Sequence, residues 1–492
     1  MAGGVLCASL LSCSTLPPPV PAAPPPAPAA PQPPPERKAP PGPLPRFSAA
    51  APKVTRHTLE NGLRLVVVEH HRRPLVTVSF VFPHGALNDP ADTAGLNYMA
   101  VHLASDFYES MGVNDRQEHE ESFRMRVSQL GGAARFEAGA DDSLIQLQGY
   151  AQDTGTYVKM MEDATRKLRH GARSFRARRA AALDSLEELE SEDPAALQQL
   201  VEQAAFGKGH PYARPVLGTP QSLNQMELQE VMDHQHLVFS PAGATLLVVG
   251  DVDPAAVRTA VSTWFDNWEG GNAPVPAVPR PELPRNGDEI GFLDRHAAST
   301  LFTCATRPLP EVAGNDATLR VLVAMLGQGF GHRLNASLRE ASGFTYGAYA
   351  EIVRRKQASA LLACAALQGS SADQGVKQFR AVLQQMRERP PAEEELRRAR
   401  ALLEAELDAS WEDVNRITAT WLEAIRLGTG APRLDEERAG LEKVTARDVQ
   451  KLAQKIFRLE TFRWVVSGER KAAAQAFEAP GLGKLKPFTP GG

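Results

Sequence analysis

The sequence predicts an α+β fold made of two tandem copies of one layered unit, an antiparallel-rich sheet with helices packed on it. Three observations carry this. Strand-length β-branched runs and amphipathic helical segments follow one another twice in the same order. A Pro-rich stretch at 270–284 separates the two runs. At 492 residues the chain is also too long for one ordinary core. A hydrophobic fraction of 43%, charged residues at 23% and a net charge of −4 describe a globular protein with no electrostatic case for a nucleic-acid partner. After the N-terminus, no apolar run approaches the roughly 20 residues that a membrane-spanning helix needs.

The opening residues read differently from the rest. Residues 1–12 are mostly apolar, and Leu10-Leu11-Ser12-Cys13 resembles a bacterial lipoprotein signal, with Cys13 as the lipidated mature N-terminus. The positive segment that usually opens a signal is missing, so either the true start lies upstream or the match is accidental, and a disordered tail with no anchoring role is the alternative. Proline and alanine dominate 17–45, a composition that favours extended polyproline over a packed core. The expected order is a signal segment at 1–13 and a disordered tether at 14–50. The first domain is set at 51–269, a linker at 270–287, the second domain at 288–480 and a tail at 481–492.

Within the first domain, 63–68 and 76–81 read as strands paired across the turn His71-Arg72-Arg73-Pro74. A helix follows at 92–111, with apolar positions Leu96, Met99, Ala100, Leu103, Phe107 and Met111 at helical spacing. The charged segment 115–126 reads as a solvated face or insertion. Two alternating runs, 134–138 and 143–148, form a second strand pair. Helices are predicted at 154–168, 176–190, 195–205 and 228–237. A buried strand at 245–249 and a helix at 254–264, with proline just inside its start, close the unit.

The second domain repeats this order. Strands at 289–293 and 300–305 lead to a helix at 317–326, the counterpart of 92–111. A strand pair follows at 346–352 and 358–366. Helices come next at 372–387, 392–409, 414–427 and 446–456. A last strand at 462–466 precedes a closing helix near Ala472. The four cysteines, Cys7, Cys13, Cys304 and Cys364, suit neither a zinc finger nor a disulfide framework. Cys304 and Cys364 lie in apolar strand-like runs, where each reads as a small buried hydrophobe; a bridge requires those strands to be neighbours.

Several motifs in order carry a family resemblance over nearly all of 54–474. They are Gly85-Ala86-Leu87-Asn88-Asp89-Pro90 with Ala94-Gly95-Leu96, then His210-Pro211-Tyr212 with Arg214-Pro215 and Gly218-Thr219, then Pro241 through Pro254. The chain resembles the pitrilysin/insulinase (inverzincin) metallopeptidase family in its short two-domain form. That family's zinc helix carries H-x-x-E-H, two imidazoles one turn apart with a glutamate that activates water. Here the three places read Tyr98, Val101 and His102. The third family ligand, a glutamate on a later helix, falls near 182–186, where Asp184, or Glu187 with a slipped register, is the local candidate. One imidazole and one uncertain carboxylate do not make a catalytic zinc site, which needs three protein ligands.

The resemblance implies a second feature. An arginine and a tyrosine in the family's second domain approach the partner domain's zinc site, bind substrate and stabilise the oxyanion. Arg333, after Gly327-Gln328-Gly329-Phe330-Gly331-His332, and Tyr346 match those places. A fixed guanidinium and a phenol can polarise a peptide carbonyl in a closed chamber; the structural alternative is a helix-capping Arg333 and a packed Tyr346.

The expected function is the subunit of a heteromeric peptidase that binds no zinc alone. A sister chain with an intact H-x-x-E-H would hold the zinc, and this chain would supply Arg333, Tyr346 and half the wall around peptide substrates. The alternative is an inactive peptide-binding or scaffolding protein of the same fold. A weaker third reading, an independent hydrolase with displaced ligands, has only His119-Glu120-Glu121, His70-His71 and His210 to draw on. The expected location is the cell envelope, lipid-anchored or periplasmic.

Overall fold

A computed structural model of the chain describes residues 50–488 apart from 91, 107–122, 169, 192, 272–275, 284–288, 297 and 310–316. The expected signal and tether, Cys13, and His119-Glu120-Glu121 lie outside the described residues.

The first half runs β1 (Val54–Thr58), β2 (Arg64–Glu69), β3 (Leu75–Phe82), α1 (Leu96–Leu103), α2 (Phe123–Gln129), β4 (Ala133–Ala138), β5 (Ser143–Tyr150), α3 (Thr154–Arg166), α4 (Ala172–Ser191), α5 (Asp193–Phe206), α6 (Pro220–Gln225), α7 (Leu228–Val238), β6 (Thr245–Gly250) and α8 (Pro254–Phe265). The second half runs β7 (Glu289–Asp294), β8 (Thr300–Pro308), α9 (Ala317–Gly327), α10 (Arg333–Asn335), β9 (Thr345–Arg354), β10 (Ser359–Gln368), α11 (Ala372–Glu388), α12 (Glu393–Ala409), α13 (Val414–Arg426), α14 (Leu434–Lys443), α15 (Ala446–Ile456), β11 (Arg463–Gly468), α16 (Arg470–Phe477) and β12 (Lys484–Pro487).

Each half builds one six-stranded sheet, ordered β1-β2-β6-β3-β5-β4 and β12-β7-β11-β8-β10-β9. Omitting the outer β1 and β12, the two orders are the same, which is the duplication the repeated pattern predicts. The expected pair of β2 and β3 is corrected: β6 lies between them, parallel to β2 and antiparallel to β3. The continuous apolar run in β2 is the signature of a strand covered on both faces, so its partner comes from far along the chain rather than across the nearest turn. The expected tail is corrected in part as well, because β12 pairs parallel with β7. A four-residue strand bearing two lysines carries too little period to be read from sequence.

One face of each sheet is covered by its own helices. In the first half α1, α3, α4, α7 and α8 pack there, and α9, α11, α12 and α15 pack in the second. The opposite faces are covered by exchange. Helix α13 of the second half lays Val414, Ile417, Trp421 and Leu422 on Val66, Val68, Leu144, Leu247 and Val249 of the first sheet. Helix α5 of the first half lays Leu197, Leu200 and Val201 on Leu293, Leu362, Cys364 and Val465 of the second. Burying a side chain of this size contributes about 2 kcal/mol, so the exchange binds the halves far more strongly than their polar seam does.

That seam is nonetheless ordered. The Arg426 guanidinium donates to Asp142 at 3.0 Å and Glu137 at 3.1 Å. Asp141 accepts from the Lys356 backbone N–H at 3.0 Å, the Tyr212 hydroxyl accepts from the Gln357 backbone N–H at 3.1 Å, and Arg355 pairs with Glu202 at 2.6 Å. Beneath α5, Cys304 and Cys364 stand opposite each other on antiparallel β8 and β10, and a disulfide joins them. The reading of both as unbridged hydrophobes is thereby corrected; the neighbouring-strand condition is met.

Candidate functional site

Helix α1 starts at Gly95, whose φ is 90°. A side chain there would lie 2.7 Å from the Leu217 carbonyl, so only glycine fits. The buried Asp89 carboxylate accepts from the backbone N–H groups of Gly95 at 3.0 Å and Asn97 at 2.9 Å, seating an acid at the positive end of the helix. Gln235 on α7 donates to the Ala100 carbonyl at 2.8 Å. Two buried histidines adjoin this seat: His84 and His234 have ring centroids 5.0 Å apart, and the His234 Nε2 lies 3.6 Å from Asp89. Burial pushes Asp89 up to about 7 and holds His84 at about 4 and His234 at about 3.

The motif positions therefore sit on a firmly held helix, but they do not converge on a metal. Val101 is wholly buried in the core. The Tyr98 and His102 rings stack with centroids 4.2 Å apart. Burial holds the His102 imidazole down to about 4, helped by the charges of Arg178 and Arg124. Burial also raises the Tyr98 phenol, against the pull of Arg178.

Arg178 is the residue that sequence reasoning missed. It donates to the Ser105 hydroxyl at 3.3 Å, and its charge bears on both Tyr98 and His102. On α4 it shares the inward face with Ala182 and Leu186 at successive i, i+4 steps, and those two are buried. Asp184 and Glu187, the expected ligand candidates, are exposed. The i, i+4 ladder 178–182–186 was the signal available in the sequence. A guanidinium thus faces the place where the family motif implies a cation, and the residues present do not fit zinc. Among the described residues no group of three or more His, Cys, Asp or Glu could hold a metal ion. Two of the displaced-ligand candidates are occupied: the His210 Nε2 meets the Pro279 carbonyl at 2.8 Å, and His71 pairs with Asp251 at 2.7 Å.

In the second half the glycine-bearing loop leads through α10 and a π-helical stretch, Ala336–Ala341, into β9. Arg333 is tied bidentately to Glu395 on α12, Nε to Oε1 at 2.5 Å and Nη2 to Oε2 at 2.9 Å, and its side chain is only 18% exposed. Tyr346 stands out at 84% exposure. The cause is a bulge: Thr345 pairs with Leu367 and Ala348 with Ala365, so Tyr346 and Gly347 together oppose Ala366. The Thr345 hydroxyl locks the bulge by donating to the Ala366 carbonyl at 2.6 Å. Nearby, Arg339 is 42% exposed with its guanidinium 5.0 Å from the ring of Phe330, itself 64% exposed. β9 is the outermost strand of its sheet. The structure therefore separates the expected pair into a buried, anchored Arg333 and an exposed Tyr346.

Comparisons with known proteins agree with this architecture. Residues 225–403 match the Peptidase M16 inactive domain. An uncharacterized zinc protease of Mycobacterium tuberculosis is 23% identical over 316 residues, 63% of this chain and 70% of the relative. Over residues 225–403 the chain is thus similar to one domain of the pitrilysin/insulinase family. Two solved structures share its fold: the peptidase M16 inactive domain from Pseudomonas fluorescens and the first half of the periplasmic protease PqqL from Escherichia coli. The first superposes with a TM-score of 0.73 at 17% identity, covering 85% of this chain and 98% of that one. The second gives 0.72 at 13% identity, covering 90% of this chain and 100% of that one. The family's zinc motif is missing from this chain, whose three places read Tyr98, Val101 and His102.

Proposed function

We propose that the chain is the subunit of a heteromeric pitrilysin-type peptidase that holds no zinc of its own, presenting substrate-binding and oxyanion-stabilising donors to a sister chain with an intact H-x-x-E-H. The observation that carries this is the Tyr346 phenol, turned out of an edge strand by a bulge while the chain's own motif is filled by Val101, a stacked Tyr98–His102 pair and Arg178. A phenol at 84% exposure is useless to the chain's own packing. Of the two guanidiniums, Arg339 is the more exposed and the less tightly held, its pair with Glu340 at 3.4 Å lying at the surface, whereas Glu395 takes the Nε and Nη2 edge of Arg333 bidentately. Arg333 then anchors α10 to α12.

The second reading, a peptide-binding or scaffolding protein without catalytic contribution, draws on that same anchored Arg333. The location proposed is the cell envelope, periplasmic or lipid-anchored through Cys13. The buried Cys304–Cys364 disulfide supports an oxidising compartment, and no helix among the described residues is long and apolar enough to cross a membrane.

The test is to purify the chain alone and together with a sister chain carrying the motif, then measure zinc content and peptide turnover. The expected result is activity only in the pair, with Tyr346→Phe and Arg339→Ala each lowering kcat by about 10²-fold and leaving the pair assembled. Unchanged turnover in both variants leaves the scaffold reading. Zinc at one equivalent with cleavage by the chain alone defeats both.

A further inference from the structure

We infer that the cavity at the seam of the two halves is a binding site for a small multivalent anion bearing carboxylate or phosphate groups. The cavity encloses about 440 Å³, within the size range of small-molecule sites. Its wall draws on both halves: Arg56 from β1 and Arg64 from β2, with Asp141 and Asp142 from the β4–β5 turn, face Lys356 from the β9–β10 turn and Arg426 at the end of α13. Four cations thus line the space against two carboxylates, in a chain whose net charge is −4. Composition does not predict such a concentration, and a recess whose lining has an excess of one sign of charge focuses the field that attracts its opposite.

The acids are already engaged from outside the cavity or across it. Asp141 accepts from the Tyr212 hydroxyl at 2.6 Å and from the Lys356 backbone N–H at 3.0 Å, and Asp142 accepts from Arg426 Nε at 3.0 Å. Burial pushes the Asp142 carboxyl up to about 6 despite that arginine. Arg426 is held by both Asp142 and Glu137, but the other three cations are less committed. Arg56 lies 5.2 Å over the Trp421 ring, leaving its N–H edge without an ion pair among the described residues. Lys356 likewise forms no ion pair among them. Among the described residues the Arg64 side chain reaches only the Gly243 carbonyl, at 2.6 Å. At the mouth, Gly428 and Gly430 adopt left-handed φ of 75° and 74°, and a side chain at Gly430 would meet nothing within 4 Å, so the entrance is open. An anion spanning Arg56 and Lys356 would bridge the two halves, and a ligand that binds only the folded chain raises its stability.

The experiment is calorimetric titration and thermal unfolding of the full chain at matched ionic strength, with pyrophosphate and citrate as probes and chloride as the control. One or both should saturate at one equivalent and raise Tm, and which one does assigns the phosphate or carboxylate class. The double variant Arg56→Gln with Lys356→Glu should weaken that binding by about tenfold or more while leaving the unliganded Tm unchanged. If the double variant is unstable, Lys356→Ala alone, at an exposed turn, takes its place. Failure of both probes to saturate, or equal affinity in wild type and variants, overturns the proposal.

Discussion

Arg178 explains why the α1 face is not a metal site better than any missing ligand does. A guanidinium packed toward Tyr98 and His102 makes the recess repel cations, so restoring one ligand at a time should not restore zinc. The paired substitution Tyr98→His with Arg178→Glu supplies a second imidazole one turn from His102 and a carboxylate in place of the cation. Metal analysis after dialysis should find about one equivalent of zinc in that variant and background in wild type; equal zinc in both would show that Arg178 does not decide the matter. The same residue bears on pH. The folded-state value of His102, about 4, lies below the 6.5 of an unfolded histidine, so the unfolded chain binds the extra proton. Stability is full above about 6.5 and falls as pH drops toward about 4, by up to roughly 3 kcal/mol. A plot of Tm against pH should therefore be shallower in His102→Gln than in wild type over that window.

Among elements, α13 has the clearest energetic role. Trp421 is almost wholly buried against the first sheet although its helix belongs to the second half. Trp421→Ala should cost about 3–5 kcal/mol by chemical denaturation, as large as a loss in the domain core proper; a cost under about 1 kcal/mol would mean α13 is only a lid. Most of the longer elements were legible in the sequence, whereas β1, α6, α14 and β12 were not. β4 with β5 and β9 with β10 pair as their alternation and short turns indicate, because hairpin partners are local. The insertion of β6 between β2 and β3 was not legible, because an apolar run records that both faces are covered and says nothing about which strand adjoins it. The bulge that exposes Tyr346 is likewise a property of the β9–β10 register, which the sequence of β9 alone does not contain.

For the whole molecule, the reciprocal placement of α5 and α13 makes each half incomplete. The first half expressed alone would leave Val66, Val68, Leu247 and Val249 uncovered, and the second would expose Leu293, Leu362 and Val465. Either half alone should be aggregated or loosely packed, with strong dye binding and weak near-ultraviolet dichroism. Co-expression of the two should recover a stable complex. A half that is monomeric and cooperatively folded by itself would show that the exchange is dispensable.

The sequence by itself determined that there are two units, the order of their elements, the family they resemble and the loss of the zinc motif at Tyr98 and Val101. All of these follow from local period and from residue identity at motif positions. Only the tertiary structure decided what fills the vacant motif, which arginine is tied down and which is exposed beside Tyr346, that Cys304 and Cys364 are bonded, and that each sheet is closed by the other half's helix. The disulfide, the Arg333–Glu395 pair and the exchanged helices are contacts between residues 60 or more positions apart. A one-dimensional pattern encodes which face of an element is buried, and the partner that buries it is chosen by the packing of the whole chain.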